Sequence, residues 1–115
     1  MFLDGERCGG HVRKASGKIS RGVSSAVTLT TPRNDTCHWL IQVTQGKQVM
    51  LVFSNVTLIG DDFIDVYDGK ETFTPFVRFT SSNPPLPITS NDHYVRIIAK
   101  GNFEISFLES RKDEI

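Results

Sequence analysis

A chain of 115 residues with 13 basic and 13 acidic side chains has no formal net charge and a pI near 6.8. That length fits one compact domain with a real core, and the neutral balance excludes an overall field drawing it to nucleic acid or an anionic membrane. No apolar run approaches the roughly 18 to 20 residues that a membrane-spanning helix needs, and the opening MFLDGERCGG lacks the apolar stretch of a signal peptide.

The first third is basic, with Arg7, Arg13, Lys14, Lys18, Arg21 and Arg33, whereas Asp61, Asp62, Asp65, Asp68 and Glu71 crowd the middle. Such runs read first as solvated faces. Cys8 and Cys37 are compatible with one disulfide or with two free thiols. NDT at Asn34 and NVT at Asn55 are both Asn-x-Ser/Thr acceptors, and together they point to a secretory setting. In that setting the chain is expected to be an excerpt of a longer protein without its signal segment.

From residue 38 onward, period-two runs recur. HWLIQV sets Trp39, Ile41 and Val43 against His38, Leu40 and Gln42; QVMLVFSNV puts Val49, Leu51 and Phe53 on one face. FIDVYDG alternates Ile64 and Val66 with Phe63, Asp65 and Tyr67, and HYVRIIAK and NFEISFLE follow. Turn signals separate the runs: TQGK, YDGK, NPPLP and AKGN. No stretch shows a 3.6-residue stripe. Many short strands with regular turns predict an all-β sandwich or barrel.

The acidic stretch DDFIDVYDG at 61–69 admits three readings: a metal cup, a catalytic acid pair, or a strand whose acids face water. Alternation along a strand sends Asp62 and Asp68 to one side and Asp61 and Asp65 to the other, which opposes a shared cation site. The spacing also lacks the mid-loop Gly and terminal Glu of an EF-hand. Catalysis by an acid pair needs a cleft that holds both groups across a substrate; Asp65, beside Phe63 and Tyr67, is expected to look outward. His11, His38 and His93 show no ligand spacing, and no nucleophile or phosphate-loop motif occurs. An enzyme is not expected. The structural reading has Asp68 bonding amides of its own turn, with Gly69 in the left-handed position, and Asp62 capping the strand start.

Taken together, CGG at 8–10, GKI at 17–19, CHWLI at 37–41, LVF at 51–53, DFIDVYDG at 62–69, PFVRF at 75–79, PPLPITS at 84–90 and YVRI at 94–97 resemble a CUB domain. The resemblance is ordered and covers 7–109, leaving 1–6 as an extension and 110–115 as a charged tail or the start of a linker. Its last residues, KDEI, differ from an ER-retrieval ending at Ile115. The resemblance implies a jelly-roll-like β-sandwich of two antiparallel sheets and a bond between Cys8 and Cys37. It departs from the family's pattern at the second cysteine pair, replaced near Ile59 and at Thr80, and in the entry loop SSAVTLTTPRND.

Many CUB domains bind calcium through a tyrosine, a glutamate and two aspartates. Asp62 matches the first aspartate, but NVTLIGD holds no glutamate and Lys100 stands about where the second aspartate belongs. KGN at 100–102 leaves room only for a tight hairpin turn, with Gly101 supplying the positive φ. No cofactor is expected, and Asp62 is the one weak candidate for a metal ligand.

The function implied by the resemblance is a non-catalytic extracellular module recognising a protein ligand within a larger secreted or membrane-anchored protein. The expected contact residues are Tyr67, Lys70, Phe73 and Phe76. The alternative is binding of a glycan or sulfated polysaccharide through Arg13, Lys14, Lys18 and Arg21. Neither nucleic acid nor membrane insertion by this segment is expected.

Overall fold

The computed structural model describes residues 9–21, 36–71 and 73–111, and every regular element among them is a strand. In chain order these are β1 (Gly10–Arg13), β2 (Ser16–Arg21), β3 (Cys37–Gln42), β4 (Lys47–Thr57), β5 (Phe63–Asp68), β6 (Val77–Phe79), β7 (Ile88–Thr89), β8 (Tyr94–Lys100) and β9 (Asn102–Arg111). β-Branched and aromatic residues fill them, as a pleated, half-buried surface favours. They form a five-stranded sheet in the order β1-β3-β8-β5-β6 and a four-stranded sheet in the order β2-β9-β4-β7. One pairing departs from the expected antiparallel pattern: β1 runs parallel to β3, with Gly10 opposite Trp39 and Arg13 opposite Gln42.

Period-two burial is clearest in β8, where Val95, Ile97 and Ala99 are buried and Tyr94, Arg96, Ile98 and Lys100 are not. The inward residues of the two sheets make one core. Cys37, Trp39, Ile41, Ile64, Val66 and Phe79 come from one sheet, and Ile19, Val49, Leu51, Phe103, Ile105 and Phe107 from the other. Two edge-to-face ring contacts join the sheets, Trp39 with Phe103 at 5.6 Å and Phe53 with Phe79 at 5.2 Å between centroids. That geometry sets ring edge against ring face, which adds to the gain from burial alone.

Apart from β5 and β6, consecutive strands alternate between the sheets. This is the jelly-roll habit, and it changes the meaning of the turns. KGN is not a hairpin: β8 lies in the five-stranded sheet and β9 in the four-stranded one, so Gly101 is a corner between sheets. Its φ is +130°, and a Cβ there would stand 2.9 Å from Leu58 Cδ2, 3.1 Å from Asp62 Oδ2 and 3.2 Å from Asp62 Cβ. Both the backbone and the space therefore require glycine. Gly101→Ala is expected to lower stability by about 2 to 4 kcal/mol, read as a reduced urea midpoint at unchanged slope.

Candidate functional site

The alternation of sheets gives the sandwich two unlike ends. At one lie the corner at Gly101 and the β4–β5 loop carrying Asp61 and Asp62; at the other lie the turns after β1, β3, β5 and β7 and the end of β9. β5 runs from the first end to the second, which sets Asp61 and Asp68 about 20 Å apart along an extended chain. The acids of DDFIDVYDG therefore do not converge, and each has its own task.

Asp62 is buried, 4% exposed, and its Oδ2 accepts the Ile59 amide at 3.1 Å while its own amide donates to Ile59 O at 3.0 Å. The expected cap is therefore present, closing the loop on itself and packing the carboxylate against Gly101. Asp61 is exposed and accepts from Lys100 Nζ at 2.9 Å; that hydrogen bond and the lysine's charge hold its carboxyl below the usual range. At the far end Asp68 does not serve its own turn. It accepts the amides of Asn91 and Asp92 at 3.0 Å, tying β5 to the loop before β8, while Gly69 takes a φ of +129°.

Asp65 corrects the expectation of a water-facing acid. It sits on the outer side of β5, yet it is only 4% exposed. Arg78, opposite it on β6, covers it with two hydrogen bonds, Nε to Oδ1 at 2.7 Å and Nη2 to Oδ2 at 3.0 Å. The hydrogen bond and charge of Asp65 push the Arg78 guanidinium pKa above its usual value. The guanidinium also lies 4.7 Å from the Phe63 ring centroid. A bidentate fork of this kind satisfies a buried carboxylate that would be costly alone.

The same outer face continues as cations on rings. Arg96 lies over Tyr67 at 4.4 Å, Lys70 over Tyr94 at 4.9 Å, and His93 tilts onto Tyr94 at 4.4 Å. Contacts of this kind hold side chains in place before any ligand arrives. Beside them the loop joining β5 to β6 presents two aromatics to water, Phe73 at 93% and Phe76 at 54% exposure, with the Phe76 amide donating to Val66 O at 2.7 Å. Of the four expected contact residues, Phe73 and Phe76 are open. Tyr67 is half-buried under Arg96, and Lys70 is turned onto Tyr94. The order of this face was invisible to local pattern because Arg78 and Arg96 meet Asp65 and Tyr67 only through strand register.

The basic quartet does not form one patch. Lys18 pairs with Glu104 at 2.6 Å on the outer face of the four-stranded sheet, and Arg21 Nη1 donates to Cys37 Sγ at 3.2 Å. Arg13 and Lys14 stand apart from both, at the turn between β1 and β2. Cys37 is disulfide-bonded and buried; Cys8 and Asn34 lie outside the described residues. Asn55 is exposed at the irregular stretch of β4, with φ +49° and its Nδ2 donating to Glu104 Oε1 at 2.8 Å.

Comparison with solved structures gives the class of fold. The human MASP-1/3 CUB1-EGF-CUB2 fragment superposes with a TM-score of 0.67 at 21% identity, covering 90% of this chain and 43% of that one. The MASP-1 CUB2 domain bound to Ca2+ superposes at 0.65 and 20%, covering 88% and 98%. The full extracellular region of zebrafish Gpr126/Adgrg6 does so at 0.68 and 19%, covering 91% and 15%.

Sequence then gives the family: the CUB domain model matches residues 8–106, and the chain belongs to the CUB family. Relatives include human procollagen C-endopeptidase enhancer 2, 33% identical over 102 residues, and mouse membrane frizzled-related protein, 32% over 82 residues. The first match covers 83% of this chain and the second 65%; the chain spans only 24% and 14% of those proteins.

The calcium of the MASP-1 domain does not fit the residues here. The Asp62 carboxylate is committed to a backbone amide and wedged against Gly101, and an ammonium rather than a carboxylate occupies the neighbouring position at Lys100. Among the described residues no three His, Cys, Asp or Glu side chains gather as metal ligands. A hard cation wants six to eight converging oxygens.

The Asp65–Arg78 pair yields a direct check. Arg78→Ala, which uncovers a carboxylate without a counter-charge, is expected to cost about 2 kcal/mol, below the range for fully buried pairs because Arg78 is largely exposed. Asp65→Asn in the same background should recover part of that loss in a double-mutant cycle by urea unfolding.

Proposed function

We propose that this domain is a non-catalytic module of an extracellular or cell-surface protein, and that it recognises a protein ligand through the loop 69–76 together with the adjoining outer face of β5 and β8. The observation that carries the reading is the exposure of Phe73 and Phe76 beside a face already held by the Arg96–Tyr67 and Arg78–Phe63 contacts. Singly exposed apolar side chains are ordinary on a protein surface, but Phe73 and Phe76 stand three residues apart on one loop, and exposed apolar patches mark interaction sites. Interface centres are enriched in aromatics and arginine, and hot spots favour rigid anchors that lose little entropy on binding.

The acid groups support a non-catalytic role. Asp62, Asp65 and Asp68 are each engaged in holding backbone or a guanidinium, and they are spread from the entry of β5 to its end. General acid and base work needs two such groups poised across one cleft. The paired sequons and the extracellular region of the zebrafish structural relative support the proposed setting. The reading includes no calcium, since the nearest ligand candidate is spent on the corner.

The test is a two-residue variant, Phe73→Ala with Phe76→Ala. As a surface change it should leave the thermal midpoint within a degree or two, while an extracellular ectodomain captured by the wild-type domain should bind it at least about tenfold more weakly by surface plasmon resonance. Undiminished affinity for every captured ectodomain would place recognition elsewhere and refute the assignment.

A further inference from the structure

At the end of the sandwich remote from Gly101, strand register aligns side chains of different strands in one row. Arg13 stands opposite Gln42, and Gln42 opposite Tyr94. The Lys70 ammonium lies 4.9 Å over the Tyr94 ring. With strands about 4.8 Å apart, the backbones at Arg13 and Tyr94 are separated by about 10 Å, and Lys70 extends the row further. Arg13, Lys14, Gln42 and Thr44 also line an open cavity of about 230 Å³, together with Ala15 and Val43.

None of the ion pairs among the described residues involves Arg13, Lys14 or Lys70. The carboxylates at this end accept backbone amides, two of which, those of Thr44 and Tyr94, belong to the row itself. Asp68 accepts the amides of Asn91 and Asp92, Asp92 accepts the Tyr94 amide with His93 3.4 Å away, and Glu109 accepts the Thr44 amide and faces Lys47 at 3.8 Å. Glu71, next to Lys70 in the chain, is exposed.

We propose that this row, Arg13 and Lys14 through Gln42 and Tyr94 to Lys70, is a binding lane for a sulfated glycosaminoglycan chain. The charges select a polyanion, and the lining selects its kind. Arg13, Lys14, Gln42, Thr44 and Lys70 all offer hydrogen-bond donors, and the lane's apolar surface is that of Ala15, Val43 and the Tyr94 ring, which Lys70 and His93 cover. A peptide would leave its apolar side chains without pockets, whereas a sulfated sugar brings acceptor oxygens along its whole length and no apolar side chains. Lys18 and Arg21 have no part in it, the first being held by Glu104 and the second turned to Cys37. The lane shares Lys70 and Tyr94 with the face proposed for a protein ligand but not Phe73 or Phe76, so replacing the two rings leaves it intact and the two readings are tested apart.

Heparin is the probe. The wild-type domain should be retained on a heparin column at physiological salt and elute as salt screens the contacts. Combined Arg13→Ser, Lys14→Ser and Lys70→Ser should weaken affinity for a heparin oligosaccharide about tenfold, and Lys18→Ser should leave it unchanged. Polyglutamate of matched length should bind more weakly than heparin. Elution of the wild type at or below physiological salt, an equal loss in the Lys18 variant, an unaffected triple variant, or polyglutamate binding as well as heparin would each overturn the proposal.

Discussion

The contact on which the architecture turns is that of Asp62 with Gly101. β8 and β9 are the central partners of their respective sheets, and the chain passes from one to the other through a single residue. A corner so short demands a positive φ and a bare Cα, and the loop that follows β4 fills the space a side chain would take. Asp62 is shaped for that place: its carboxylate accepts the Ile59 amide, and its β-carbon packs on the glycine. Burying a polar group costs little once it is hydrogen-bonded.

That use of the acids divides the molecule by function. Around Gly101, charge is consumed in structure: Asp62 on backbone, Asp61 on Lys100. Asp65 and Arg78 then fasten the edge strand β6 to β5, and Asp68 fastens β5 to the loop before β8. A face braced in this way offers its rings and guanidinium groups in fixed positions. Among the described strands, the loop of Phe73 and Phe76 hangs from the only consecutive pair that shares a sheet, so it joins a hairpin rather than turning a corner. Unlike a corner, it is free to vary without disturbing the passage between sheets, which suits it to recognition.

Much of this was legible in the sequence, for reasons specific to each segment. Trp39, Ile41 and Val43, and Val95, Ile97 and Ala99, lie in strands with one face in the core, so period-two alternation survives undiluted. The ordered CUB-like motifs carried the sandwich. What local pattern could not supply was sheet membership. A glycine with positive φ serves a hairpin and a corner equally, so KGN gave no sign of which it was. Nor does alternation reveal a carboxylate shielded by a residue 13 positions away, as Asp65 is by Arg78. The basic residues of the first third look contiguous in sequence, but the turn between β1 and β2 sends them to different sheets, and Arg13 finds its row with Lys70 only through register.

Asp62 acts as a structural latch rather than a metal ligand, and unfolding of the wild type and Asp62→Ala in urea, with chelator and with millimolar Ca2+, separates the two. A latch predicts that the variant is less stable by about 1 to 3 kcal/mol, by the same amount in both buffers. Equal stability under chelation, with a difference appearing only when Ca2+ is added, would contradict it.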